Sequence, residues 1–214
     1  MISSLNNLRN AAISKHEQGL HDIHDHSINI AIYQRDISSL KPELDQISQI
    51  PVNFMTTGTV EEIQTELAAY SRDHLPACPA FLADADKLTR LFQQVSKSDS
   101  LKLQLSTVTT NMCRRFHTDM NDLRMLCTYV GAGTLWLPDE AINPAALKPG
   151  TTNEEIVTDN HLIQQVATGD VTILKGALYP EANAILHRSP TIEETGEHRL
   201  LLRIDTNQSA IFDA

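Results

Sequence analysis

Between residues 101 and 207 the chain is cut into short runs of strand-forming residues, and one of those runs leads into His117-Thr118-Asp119. Side chains at i and i+2 of a strand point to the same face. An HxD on a strand therefore sets an imidazole beside a carboxylate, and the fold must enclose both or expose both. The runs are 101–110, 112–118, 123–130, 133–137, 161–166, 170–175, 183–188 and 199–205, with turn residues between most of them. Short, evenly spaced strands of this kind predict an all-β sandwich or barrel.

Alternation along 112–118 predicts a polar interior. Asn111, Cys113, Arg115, His117 and Asp119 share one face, while Met112, Arg114 and Phe116 share the other. A barrel filled only with core side chains would not bury that polar stripe, because buried polar groups need partners; a ligand cavity would accommodate it. His187 lies in what reads as the penultimate strand. With His117 and Asp119 it makes a two-His-one-carboxylate set, which leaves three positions open on a non-haem Fe(II) ion. The plain alternative is a pair of hydrogen-bonded core histidines. Arg199 opens the last run, sharing a face with Leu201 and Arg203. Its guanidinium suits bidentate pairing with a carboxylate, either that of a ligand in a cavity or that of a surface partner such as Glu193, Glu194 or Glu197.

Residues 1–98 read as a mostly helical region packed on the β half, 99–214, the two forming one unit. Leu5, Leu8, Ala12 and Ile13 recur near helical spacing, and 28–33 reads as a short strand. Thr59 with Glu62 three residues on is a capping-box signature for a helix, and a further helix fits 80–95. The segment 138–160 is rich in Pro, Asn, Asp and Thr and reads as a long loop, a candidate lid. His16, His21, His24 and His26 cluster with Asp22 and Asp25, either as a Zn(II) or Ni(II) site or as a polar linker.

The net charge of -10 argues against a nucleic-acid footprint, which needs a positive field, and against anionic membranes. No apolar run approaches the ~20 residues of a membrane helix. Three cysteines without a CxxC pair fit a reducing compartment, and the N-terminus shows no signal-peptide pattern. These features predict a cytoplasmic protein. No P-loop, GxSxG or HExxH motif is present.

The order HxD, then Gly169-Asp170 before a strand, then His187, then Gly196 and Arg199 before a final strand resembles the Fe(II)- and 2-oxoglutarate-dependent oxygenases, over roughly residues 101–207. The resemblance implies a double-stranded β-helix (cupin-type, jelly-roll) core, Fe(II) on His117, Asp119 and His187, and 2-oxoglutarate anchored by Arg199. The superfamily often places Ser or Thr two residues after the basic residue. Here that position is Leu201, and Arg203 is the alternative anchor; Tyr129 is a third candidate for the cosubstrate carboxylate. FHTDMNDLRMLCTYVGAGTLWLP, GDVTILKG, LHRSP and HRLLLRID also resemble the uncharacterised bacterial family called domain of unknown function 1826. Some members resemble neighbours of zinc-handling GTPases, which keeps zinc in view.

The expectation is therefore a mainly β fold with N-terminal helices, and an oxygenase of unknown substrate with no catalytic residue beyond the metal ligands. Two rivals remain: a cupin-like metal enzyme that does not use 2-oxoglutarate, and a non-catalytic metal-binding protein of zinc homeostasis.

Overall fold

Ten strands organise the computed structural model, which describes residues 9–180 and 183–206. They are β1 (Ala11–Ser14), β2 (Ile30–Tyr33), β3 (Asn53–Gly58), β4 (Leu101–Val108), β5 (Leu123–Val130), β6 (Leu135–Trp136), β7 (Gln164–Gln165), β8 (Val171–Lys175), β9 (His187–Arg188) and β10 (Arg199–Thr206). Seven form one sheet in the order β1-β2-β8-β5-β10-β4-β3, antiparallel except at β1–β2. The other three form a small sheet, β7-β6-β9. Among the described residues no ladder joins the two sheets into a closed barrel. The fold is mixed α+β with a large sheet.

Alternation along the central strands gives the large sheet two different faces. Met125, Cys127 and Tyr129 of β5 and Leu200, Leu202 and Ile204 of β10 belong to the main core. They pack with the N-terminal helices α1 (Lys41–Ile47), α2 (Val60–His74) and α3 (Pro79–Ser96). Thr59 and Glu62 close the expected capping box at the start of α2. α3 buries Phe81, Leu88, Phe92 and Val95 completely, each contributing about 1.5–3 kcal/mol from the water it sheds. The opposite face carries Arg124, Leu126 and Thr128 of β5 and Arg199, Leu201 and Arg203 of β10. Leu126 there joins Ile30, Ile32, Leu174 and, from the small sheet, Trp136 in a second core. The helices thus cover one face of the sheet, and the other faces the small sheet.

Three expectations change. Residues 112–118 form no strand; of 111–118 only Phe116 is buried, so the segment has no apolar face to hold in a ladder, and its polar stripe is not realised. Ala12 and Ile13 lie in β1, paired parallel with β2, since so short a run does not distinguish helical from extended spacing; Leu5 and Leu8 lie outside the described residues. The 138–160 segment has a fold of its own. It contains 3-10 turns at Asp139–Ala141, Pro144–Ala146 and Asn160–Leu162, the short helix α4 (Asn153–Ile156), and an Ile142–Val157 bridge. Ala141, Ala146, Ile156 and Val157 pack with Phe116, Leu137 and Leu186 in a third core. No described helix is long and apolar enough to cross a membrane.

Candidate metal centre

His117 enters the centre through its backbone. It forms an isolated antiparallel bridge with His187 of β9, each N–H donating to the other's carbonyl at 3.0 Å. Residues opposed in this way project to the same side, and the two rings stand 4.7 Å apart, tilted by 46°. The His117 Nδ1 lies 3.0 Å from the Arg115 carbonyl, and the His187 Nδ1 lies 3.3 Å from the Ile185 carbonyl. A carbonyl only accepts, so these contacts put a proton on Nδ1 of each ring, and Nε2 is the atom that faces Asp119, where it donates to the carboxylate when protonated and would bind a metal once that proton is displaced.

Both Nε2 atoms turn toward Asp119, at 3.6 Å from Oδ1 for His117 and 3.3 Å from Oδ2 for His187. The ligand-capable atoms of the three residues lie within 4.8 Å of one another. Asp119 Oδ2 is buried without a well-aligned hydrogen bond, although the Arg124 guanidinium forms an ion pair with it. Burial alone would raise the Asp119 pKa. Hydrogen bonds from His117 and His187, with the charges of His187 and Arg124, outweigh it and hold the carboxyl well below the usual carboxylate range. The Asp119 contact in turn raises the His117 pKa against the opposing effect of burial. Two imidazole nitrogens and one anionic oxygen, converging and underused as hydrogen-bond partners, fit a divalent transition metal.

A cavity of about 70 Å3 is lined by the two histidines and also by Arg199, Leu201 and Arg203. Arg199 is 1% exposed. One terminal nitrogen donates to Thr128 Oγ1 at 3.0 Å, and the buried Nε has no acceptor. No described carboxylate pairs with this guanidinium: Glu193, one of the surface partners considered for it, takes Arg114 instead. Burial lowers the Arg199 pKa to about 10. Arg203, by contrast, donates from Nε to Asp205 at 2.6 Å.

Residues 14–205 match the family described as "Protein of unknown function (DUF1826)". The chain belongs to that family. No curated protein matches it. Among solved structures, it resembles dioxygenase for auxin oxidation 1 from Arabidopsis thaliana, determined as a complex with 2-oxoglutarate. The two are 10% identical over 92% of this chain and 91% of the other, with a TM-score of 0.51. It also matches a Pseudomonas putida prolyl-4-hydroxylase at 10% identity over 88% and 96% of the two chains, with a TM-score of 0.41. The first likeness is one of overall fold.

Other sequence candidates of this DUF1826 chain lie elsewhere. Tyr129 belongs to the helix-covered face, where its hydroxyl donates to Asp84 at 2.7 Å and its ring meets Phe81 edge-on. Strand alternation turns it away from the face on which Thr128 meets Arg199. Within the His16/His21/His24/His26 cluster, His24 spends both ring nitrogens on Tyr179 and the Val95 carbonyl. Only His117, Asp119 and His187 form a metal-grade group among the described residues.

Arg124 and Asp205 complete the centre, although sequence pattern alone does not single them out. They face each other across β5 and β10, and Arg124 Nε binds Asp205 at 2.5 Å while its other arm holds Asp119. Asn121 also donates to Asp205, at 3.1 Å. The available signal was the shared face of Arg124, Leu126 and Thr128 within LRMLCTYV.

Proposed function

We propose that the protein is a mononuclear non-haem Fe(II) oxygenase that uses 2-oxoglutarate and is built on a double-stranded β-helix core. The observation that carries this reading is the pairing of two sites in one small cavity. One is formed by the Nε2 atoms of His117 and His187, which face the Asp119 carboxylate. The other is the buried guanidinium of Arg199, with an Nε lacking an acceptor and no carboxylate partner. An unpaired buried cation is costly to keep. A dicarboxylate such as 2-oxoglutarate would satisfy Arg199 with its distal carboxylate while its keto-acid end reached the metal.

Within this reading each residue has a defined task. His117, Asp119 and His187 hold the metal. Arg124, fixed by Asp205, orients the Asp119 carboxylate. Arg199, steadied by Thr128, binds and orients the cosubstrate. Fe(II) bound there would, with O2, supply the oxidant for hydroxylation of a C–H bond, 2-oxoglutarate leaving as succinate and CO2. The likeness in fold to a dioxygenase solved with 2-oxoglutarate agrees with this assignment. The absence of Ser or Thr at Leu201 is offset in kind by Thr128, which supplies a hydroxyl from the neighbouring strand.

Anaerobic calorimetry of 2-oxoglutarate with the Fe(II)-loaded protein tests the reading. The wild type should bind, and Arg199→Ala should lose roughly 2–5 kcal/mol of that affinity while keeping its metal. Arg199→Lys should recover only part, because the planar fork is gone. Tightly held zinc with no 2-oxoglutarate binding to any metal-loaded sample would overturn the oxygenase reading and leave a metal-binding protein.

A further inference from the structure

A second and larger cleft opens beside His117, distinct from the cavity that holds Arg199. It encloses about 660 Å3, within the range of roughly 300–1,000 Å3 usual for small-molecule sites. Its walls come from three parts of the chain: the segment leading to His117, the folded 138–158 region, and the approach to β9. Phe116, Ile142, Ile156 and Leu186 supply apolar lining, backed by the third core. His117 and Thr118 line the same cleft, so a molecule lying in it borders the metal centre.

Two cations face this cleft. Arg115 and Lys148 both line it. The chain has 27 acidic residues against 17 basic ones, and some exposed cations elsewhere are neutralised by acids: Lys41 takes Asp45, Lys87 takes Glu17, and Arg114 takes Glu193. Neither Arg115 nor Lys148 has a described carboxylate within ion-pair distance. One terminal nitrogen of Arg115 donates to the Lys148 carbonyl at 2.6 Å and to Thr151 Oγ1 at 2.9 Å. These neutral contacts fix the guanidinium at the cleft without consuming its charge. Asp139, the one acidic residue of the lining among the described residues, is engaged by Asn10 at 2.8 Å.

We propose that this cleft is the substrate site and that it takes a small amphipathic acid, an apolar body carrying one carboxylate, with Arg115 and Lys148 as the carboxylate's counter-charges. The class of substrate rests on the oxygenase reading above; the binding itself does not, because Arg115, Lys148 and the apolar lining are in place without metal or 2-oxoglutarate.

The test uses the full metal-free chain with decanoate as probe, measured by calorimetry and by NMR shift mapping. Decanoate should bind at least tenfold more tightly than 1-decanol, which has the same chain without the charge. Arg115→Gln with Lys148→Gln should weaken decanoate at least tenfold and leave decanol unchanged. Both side chains are exposed, so circular dichroism of the double variant should match wild type, and each single variant should show part of the loss. Equal affinity for acid and alcohol, unchanged decanoate binding in the double variant, or no binding of decanoate would each overturn the proposal. So would loss of decanoate binding in Arg199→Ala alone, since the acid would then occupy the other cavity. Decanoate binding without 2-oxoglutarate binding would sink the oxygenase reading but keep the cleft as an acid site. The reverse result would sink the cleft proposal and keep the oxygenase reading.

Discussion

His117 and His187 are opposed across one two-bond backbone bridge, so the position of each imidazole depends on the other's main chain. A metal bound there would tie together segments seventy residues apart that no longer ladder joins. His187 is additionally held by the pairing of β9 with β6, where it lies opposite Trp136. His117 has no strand of its own to hold it. The bridge and the Phe116 side chain, buried beneath the 138–158 region, do that work.

His187→Ala should therefore remove a ligand without removing the fold. The side chain is buried, but its backbone bonds do not need the ring. Loss of one of three ligands should weaken Fe(II), or Mn(II) as its surrogate, by at least about 100-fold, since even an outer partner is worth about 10–100-fold. Titration followed by electron paramagnetic resonance checks this. Unchanged affinity would show that the metal, if any, lies elsewhere.

How far the sequence reached is clearest at this centre. The three candidate ligands could be named because residue chemistry and order carry them: an HxD, then a late His, then an Arg. Residues 112–118 form no strand because their polar–apolar alternation has no buried face behind it apart from Phe116. Tyr129 shows the converse. Its residue type suits a carboxylate, but its odd position on β5 sends it to Asp84, and which face of a strand meets the helices is decided by packing far away in sequence. Arg124 and Asp205 were invisible because their pairing exists only through the β5–β10 register. β1 and β3 were missed because a four- or six-residue run signals little until a sheet edge is there to receive it.

Arg124→Gln should act through Asp119. The substitution keeps length and a donor but removes the charge that joins Asp119 to Asp205. Metal affinity should fall by about 10–100-fold, and Asp205→Asn should fall in the same direction. The double variant should lose much less than the sum of the two, because both changes break one chain of contacts. Full additivity would place the two residues in separate roles.

Asp84 makes a prediction about stability alone. Its carboxylate takes both terminal nitrogens of Arg35, at 2.6 and 2.9 Å, and the Tyr129 hydroxyl. The two ionic side chains are 9% and 15% exposed. Asp84→Ala leaves the Arg35 charge buried and unpaired, which should cost about 3–5 kcal/mol in urea unfolding. Metal affinity should not change, since the cluster lies on the helix-covered face. A loss under about 1 kcal/mol would mean that water reaches Arg35.

Gly131 tests how Arg199 is aimed. The β5–β10 register slips between Leu200 and Leu201, with Leu200 opposite Val130 and Leu201 opposite Thr128. Gly131 follows β5 with φ of 82°, a conformation that L side chains adopt at a cost of about 1–2 kcal/mol. A Cβ there would stand 2.3 Å from the His198 carbonyl oxygen and 3.1 Å from Arg199 Cγ. Gly131→Ala must therefore push the start of β10 away and carry the guanidinium with it. The expected result is a lowered unfolding midpoint together with weaker 2-oxoglutarate binding and unchanged metal affinity. The comparison that isolates the geometric effect is Gly150→Ala. Gly150 also has a positive φ, of 87°, but nothing lies within 4 Å of its added Cβ, so that variant should lose some stability and no 2-oxoglutarate affinity. Equal loss of cosubstrate binding in both variants would show that general destabilisation, and not the placement of Arg199, is responsible.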